Sequence, residues 1–424
     1  MSTFASRLNQ KLKSIGPGLL FASAAIGTSH LVLSTRAGAH HGMIFLWIIL
    51  AALILKYPFY EFGSRYAAAT GNSLIKGYMD QGRWAVILFI SIIFVNMFAV
   101  TGAVAAVSAG LLSTVFGIDF VSIPILSGII IFISVLLLLL GGYSGLDKLI
   151  KFISFILLIT ILISFIAVLI KGPIQPMENF IAPRLLEGAG LTLLISLLGW
   201  MPAGLEASAM NSIWVVEKSK DHDSTFKENL FDFNLGYLFA GILALMFMTI
   251  GAYTIYGSDQ LLEGNATQFS NKLLSIFASN LGQWTYPILA VAAFGTIYGT
   301  LITVLDAFPR CFVRCLRILK FNSYQNNGEQ NTFLDKSYKI CLVILGIGGF
   351  LLFYLSSANM IRILEVATIL AFVTSPIIGY LNLKAIKSEA VPKTHLPSPF
   401  VIRLAYVGLI AMTGFSFYYL STII

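Results

Sequence analysis

The sequence predicts an all-α membrane protein of many spans, and three observations predict it: how little charge the chain carries, how its apolar residues are grouped, and where its basic residues fall. Of 424 residues, 57% are hydrophobic and 11% charged, against about 25% charged in a soluble domain. Hydrocarbon is the solvent that accounts for the difference. The composition excludes a disordered chain, a disulfide scaffold and a water-soluble enzyme. Three cysteines are too few for a disulfide framework or a thiolate metal site, and Cys311 and Cys315, four apart on one helix, read as packing. No cleavable signal peptide is expected, because residues 1–14 are polar and basic and the apolar run behind them is too long.

Eleven apolar segments of spanning length follow one another, near 15–38, 43–62, 84–116, 121–141, 147–170, 189–216, 230–256, 284–308, 338–356, 360–382 and 402–423. A helix crosses the hydrocarbon in about 20 residues and satisfies its backbone within the segment, so runs of this length are helices. Barrel strands would alternate at every second residue, whereas these runs are apolar on all faces. The loops between them then alternate in charge. Basic residues gather before the first span (Arg7, Lys11, Lys13), after the second (Arg65, Lys76, Arg83) and after the fourth (Lys148, Lys151). They gather again after the sixth (Lys218, Lys220, Lys227), the eighth (Arg310, Arg314, Arg317, Lys320, Lys336, Lys339) and the tenth (Lys384, Lys387, Lys393, Arg403). These 21 residues face five on the other side, Arg36, Lys171, Arg184, Lys272 and Arg362, and Lys56 lies inside a span. The positive-inside rule puts the N-terminus in the cytoplasm and the C-terminus outside, with the chain in the plasma membrane. The net charge of +8 thus belongs to a lipid bilayer and not to a nucleic acid partner. Asn265-Ala266-Thr267 fits a glycosylation sequon and reads as chance.

Two of the spans are interrupted. The first runs Gly16-Pro17-Gly18 to Ile26-Gly27-Thr28-Ser29-His30, and the sixth runs Gly199-Trp200-Met201-Pro202-Ala203-Gly204-Leu205-Glu206. A glycine weakens a helix by about 1 kcal/mol and a proline by about 3. Non-helical backbone at membrane depth is tolerated only where it is buried in protein or lines a wet cavity. Breaks at the first and sixth of eleven spans are the pattern of an inverted repeat of five helices, with the half-helix ends around a central site. We expect one transmembrane domain over 1–424, with repeats over 1–172 and 173–385 and a linker and eleventh helix over 386–424.

Polar groups at this depth are costly and mark function. The candidate site residues are Gly27, Thr28, Ser29, His30, Met201, Ala203, Gly204 and Glu206. Gly27 and Gly204 supply the unwinding, Thr28 and Ser29 hydroxyl oxygens, Met201 a soft thioether, His30 an imidazole and Glu206 the one carboxylate. Thioether and imidazole suit softer cations, hydroxyl and carbonyl oxygens harder ones, so Met201 and Glu206 are the candidate metal ligands. Asn96, Asp306 and Glu365 are candidates for coupling or gating: Asp306 pairs with Arg310, and Glu365 stands one turn from Arg362. Glu61 and Arg65, four apart, read as a helix ion pair. His40-His41 reads as a solvated loop.

These residues resemble a known family. From Gly16-Pro17-Gly18 to Ala37-Gly38-Ala39, and on through Leu46-Trp47 to Thr70-Gly71, the chain is similar to the first two helices of the NRAMP (natural resistance-associated macrophage protein) divalent-metal transporters. Met201-Pro202 matches the family's Met-Pro of the sixth helix, and Gly299-Thr300 through Leu305-Asp306-Ala307-Phe308 follows its eighth. The resemblance implies a LeuT-type fold of 5+5 inverted repeats, with helices 1 and 6 broken around the substrate and alternating access between the two sides. It also shows a divergent branch. The family's metal-binding Asp-Pro-Gly-Asn reads Gly27-Thr28-Ser29-His30 here, its Met-Pro-His reads Met201-Pro202-Ala203, and its third-helix proton-route acids fall at Asn96 and Ala99.

The expectation is a secondary transporter of a cation, a divalent metal ion of hydrated Mg or Mn type, acting as a monomer without a cofactor. The alternative keeps the fold and moves a small organic solute, an amino acid or amine, with no metal bound. A membrane enzyme is not expected, since no nucleophile–base pair or histidine cluster stands out, and no appended signalling domain suggests a sensor.

Overall fold

The computed structural model describes residues 16–423 apart from 119, 141–142, 222–223, 259–261, 263–265, 322–327 and 357–358. The basic residues Arg7, Lys11 and Lys13, the sequon at Asn265, and the side chains of Lys148, Lys151 and Lys220 lie outside the described residues. No strand occurs among those described.

The chain begins with α1 (Pro17–Ala25), continues through a π-helical turn over Ser29–Ser34 and enters α2 (Thr35–His41). Then follow α3 (Ile44–Thr70), the short α4 (Leu74–Asp80), α5 (Arg83–Phe116), α6 (Ile123–Leu139) and α7 (Tyr143–Lys171). The second half opens with α8 (Gly188–Trp200) and α9 (Ala207–Asp221) and proceeds through α10 (Phe226–Thr254), α11 (Ala266–Leu281) and α12 (Tyr286–Phe321). It ends with α13 (Gly328–Leu355), α14 (Met360–Ile386) and α15 (Pro399–Ile423). Each of the eleven apolar segments is a helix or, at the first and sixth, a pair of half-helices; α4 and α11 are additional. Among the described residues, seven helices are long and apolar enough on their own to cross a membrane. Pro58, Pro309 and Pro376 sit inside α3, α12 and α14 without ending them, as membrane helices with supporting neighbours allow.

The outward faces of these helices are apolar too. Ile54, Phe132, Leu238, Ile347, Ile410 and Phe417, from five different helices, are each more than half exposed. A water-soluble monomer does not show apolar surface on this scale, so the belt is lipid-facing.

Inside, α10 packs along α1, α2 and α3, α12 along α5, and α14 along α8. Glycines set the closest of these approaches. A Cβ on Gly18 would lie 2.0 Å from the carbonyl oxygen of Asp232, and one on Gly236 would lie 2.1 Å from that of Gly18. Gly38 and Gly251 repeat the arrangement at the other end of the first span, 1.9 Å from Met248 O and 2.1 Å from Thr35 O. Both halves of the first span are therefore seated backbone-to-backbone on α10, the small-residue packing that bilayers favour. The Asp232 carboxylate adds an anchor, accepting the amides of Gly16 (3.1 Å) and Gly18 (2.8 Å) at the start of α1. The Glu61–Arg65 pair forms as expected. His40 and His41 do not form a solvated loop: they end α2, and His41 is buried against Phe45. The helix simply runs a turn longer than its apolar stretch.

Candidate functional site: a cavity between two helix breaks

The two interruptions differ in kind. In the first, Ile26 and Gly27 bend the chain and helix resumes at Thr28, where the amides of His30 and Leu31 both reach the Gly27 carbonyl at 3.2 Å. In the second, residues 201–206 leave the helix altogether between Trp200 and Ala207. Neither Gly27 nor Gly204 has a positive φ. Both are needed for closeness instead. A Cβ on Gly27 would stand 2.4 Å from Thr300 Oγ1 of α12, and one on Gly204 would stand 2.5 and 2.7 Å from the two carboxylate oxygens of Glu206, which folds back over it.

Between the breaks lies a cavity of about 70 Å³, measured at the centres of water-sized occupants. Thr28 and Ser29 line it from the first break, and Trp200, Ala203, Gly204, Glu206, Ala207 and Met210 from the second. Val100 and Val104 of α5, with Thr300, Val304 and Phe308 of α12, complete the wall. Five of the eight expected residues thus meet at one space. The other three stand behind it. His30 is fully buried, its Nε2 donating to Ala240 O at 2.8 Å and its Nδ1 2.7 Å from the Ser29 hydroxyl, so both ring nitrogens are engaged. Met201 is fully buried and outside the lining, and Gly27 packs against Thr300.

Several polar atoms here have no partner. Thr28 Oγ1 and Glu206 Oε2 are buried without a hydrogen bond. Asn96 of α5 faces the Glu206 carboxylate, yet neither its Nδ2 nor its Oδ1 makes a hydrogen bond of good geometry. All three residues are at most 3% exposed. Leaving a buried polar group unpaired costs about 1–3 kcal/mol; Thr28 and Glu206 present such oxygens in the cavity wall, with Asn96 beside Glu206 but outside the lining. No group of three or more His, Cys, Asp or Glu able to hold a metal occurs among the described residues. The site offers one carboxylate and neutral oxygens.

Two residues of α3 have roles that the sequence does not assign. Lys56, buried in the middle of an apolar helix, donates from Nζ to the carbonyls of Leu198 (2.9 Å), Gly199 (3.3 Å) and Ala203 (3.5 Å). The Tyr60 hydroxyl also donates to Ala203 O. The signal was present, a single lysine within the run 43–62, but nothing in the sequence says which helix it meets.

Toward one end of the bundle, Arg36 Nη1 of α2 pairs with Glu365 Oε1 of α14 at 2.7 Å. Arg36, 329 positions away, is therefore the partner of Glu365, in place of the neighbouring Arg362 that the spacing suggested. Toward the other end, one turn along α9 and α12 from the cavity, a vestibule of about 470 Å³ is lined by Ile213, Trp214, Glu217, Thr303, Asp306 and Arg310, among others. Asp306 accepts from Arg310 Nε (2.7 Å) and from the Tyr338 hydroxyl (2.6 Å), the expected pair with an added partner.

Known proteins share this architecture. A solved structure of a manganese transporter from Eremococcus coleocola, in complex with an aromatic bis-isothiourea compound, superposes with a TM-score of 0.63 at 15% identity, covering 97% of this chain and 86% of that one. A structure of MhsT in complex with L-phenylalanine gives 0.62 at 15% identity, over 96% of this chain and 98% of the other. These likenesses identify the LeuT-type fold of two inverted five-helix repeats, with helices 1 and 6 broken. In sequence, an uncharacterized protein of Pasteurella multocida (strain Pm70) is 33% identical over 98% of this chain and 94% of its own length. The family model described as "Natural resistance-associated macrophage protein-like" matches residues 18–422, and the chain therefore belongs to the Nramp family of membrane transporters.

Proposed function

We propose that the chain moves a partly hydrated divalent cation, of Mg or Mn type, across the plasma membrane by alternating access, with its N-terminus in the cytoplasm. The observation that carries this reading is the pair of unpaired buried oxygens, Thr28 Oγ1 and Glu206 Oε2, in the wall of a small cavity. An oxygen-rich set with one negative charge suits a hard cation. It does not suit a bare one: a single carboxylate replaces little of a divalent ion's hydration, and magnesium in particular keeps several waters when it binds. A cavity of about 70 Å³ exceeds the roughly 10–15 Å³ needed to hold one water and has room for a few waters, or for an ion with part of its shell. The similarity to a manganese transporter supports the same class of cargo.

MhsT binds L-phenylalanine on this fold, which keeps the organic-solute alternative in view. Sites for drug-sized organic molecules occupy about 300–1,000 Å³; at about 70 Å³, walled by Val100, Val104, Val304 and Phe308, this cavity favours the smaller cargo. In the cycle we propose, the Arg36–Glu365 pair closes the outer end while the vestibule gives access from the cytoplasmic side. Proteoliposomes supplied with Mn²⁺, Mg²⁺ or Ca²⁺ test the reading. Saturable uptake of at least one ion, reduced by Glu206→Ala, is expected; no flux above empty liposomes for all three ends it.

A further inference from the structure

The carbonyls that Lys56 engages are the ones a broken helix leaves over. Because α8 stops at Trp200, the oxygens of Leu198 and Gly199 have lost the amides that would follow them in a continuous helix, and Ala203 lies in the non-helical stretch. Such an end carries partial negative charge and attracts a cation. Here the cation is part of the protein. The Lys56 ammonium is 2% exposed, touches oxygens at 2.9, 3.3 and 3.5 Å, and sits 5.9 Å from the centre of the Tyr60 ring, a second source of cation stabilisation. The Glu206 carboxylate lies within electrostatic reach of this ammonium, but the hydrogen bonds go to the carbonyls.

We infer that the carbonyl end of α8 is a monovalent-cation position permanently filled by the Lys56 ammonium, so that the second break keeps its shape, and the transport cycle runs, without a bound alkali ion. The clause about transport rests on the function proposed above; the clause about the cation position does not. The arrangement also bears on the cargo. Ala203 lines the cavity, but its carbonyl is already claimed by Lys56 and Tyr60. That carbonyl is thereby withdrawn from a substrate cation.

Thermal melting of the purified protein tests the position without any transport assay. Wild type is melted in chloride salts of Na⁺, K⁺ and N-methylglucamine at equal ionic strength, and the same melting temperature is expected in all three. A saturable rise specific to Na⁺ or K⁺ overturns the inference. Lys56→Ala, which empties the position, is expected to melt below wild type and to recover by a few degrees, saturably, with ammonium or methylammonium chloride. Lys56→Met, which refills the space with an apolar chain, is expected to show no such recovery. Equal indifference of both variants to every small cation overturns the inference, and if Lys56→Ala does not fold, the wild-type comparison still decides. In proteoliposomes, wild-type uptake in N-methylglucamine is expected within twofold of uptake in Na⁺ or K⁺; a strict alkali requirement contradicts the second clause. Absence of all metal flux removes the carrier reading but leaves both melting comparisons intact.

Discussion

The two helix breaks occupy matching places in the repeat and do different work. The first is short, bending at Ile26 and Gly27 before a π-helical turn takes over, and its polar groups are neutral. Its imidazole is sealed between Ser29 and the Ala240 carbonyl. The second break is six residues long, carries the carboxylate of Glu206 and is braced from α3 by Lys56 and Tyr60. Symmetry of the fold is thus not symmetry of charge. Relatives with the Asp-Pro-Gly-Asn motif place an anion on the first helix, and in this chain the one anion at the cavity belongs to the sixth.

If that division holds, substitutions at the two breaks should differ in size and in kind. The largest effect is expected from Glu206→Gln, which keeps the shape and removes the charge. A charge-assisted contact contributes about 1.5–3 kcal/mol, so cation affinity should fall about 10- to 100-fold by isothermal titration. Next comes the pair of glycine substitutions, which should separate the breaks by type of defect. Gly27→Ala forces a Cβ to within 2.4 Å of Thr300 Oγ1 and should cost about 1–3 kcal/mol of stability, the usual range for overpacking, read as a lower melting temperature. Gly204→Ala pushes against the flexible Glu206 carboxylate and should show chiefly as weakened ion binding with a smaller change in melting. The opposite assignment would mean the roles of the breaks are reversed. Thr28→Val removes one unpaired neutral oxygen, and at about 0.5–1.5 kcal/mol for a neutral contact the affinity should fall about two- to tenfold. Smallest of all is Ser29→Ala. Its hydroxyl is already 2.6 Å from Ala25 O and 2.7 Å from His30 Nδ1, so binding should change by less than about twofold, within the smallest neutral contribution. An effect as large as that of Glu206→Gln would return the ligand role to the first helix.

Much of this architecture was legible before any coordinates. A bilayer demands long apolar runs and satisfied backbone, so eleven segments, and the breaks at Gly27 and Pro202, are written in composition and in the placement of Gly and Pro. The site was legible in outline for the same reason: Thr28, Ser29 and Glu206 are polar where the lipid permits little. What the chain does not announce is rotation and long-range pairing. His30 lies in the π-helical turn and faces α10, bonding Ala240 O, and no periodicity in the sequence reports that. Met201, one residue past the end of α8, is likewise turned into the core. Glu365 has an arginine one turn away and nevertheless pairs with Arg36, a more buried partner whose side chain reaches it from α2. Lys56 is the sharpest case. Its presence in an apolar run marks it at once, but its meaning lies in carbonyls more than 140 positions further along.

The claim on which the account rests is that Glu206, with Thr28, holds the transported cation between the breaks. Crystals grown with Mn²⁺ and measured at the manganese absorption edge test it most directly. The account predicts a single anomalous peak in the cavity bordered by Thr28 and Glu206, and its loss in Glu206→Gln. A peak beside Asp306 in the vestibule with the cavity empty, or an undiminished cavity peak in the variant, contradicts it.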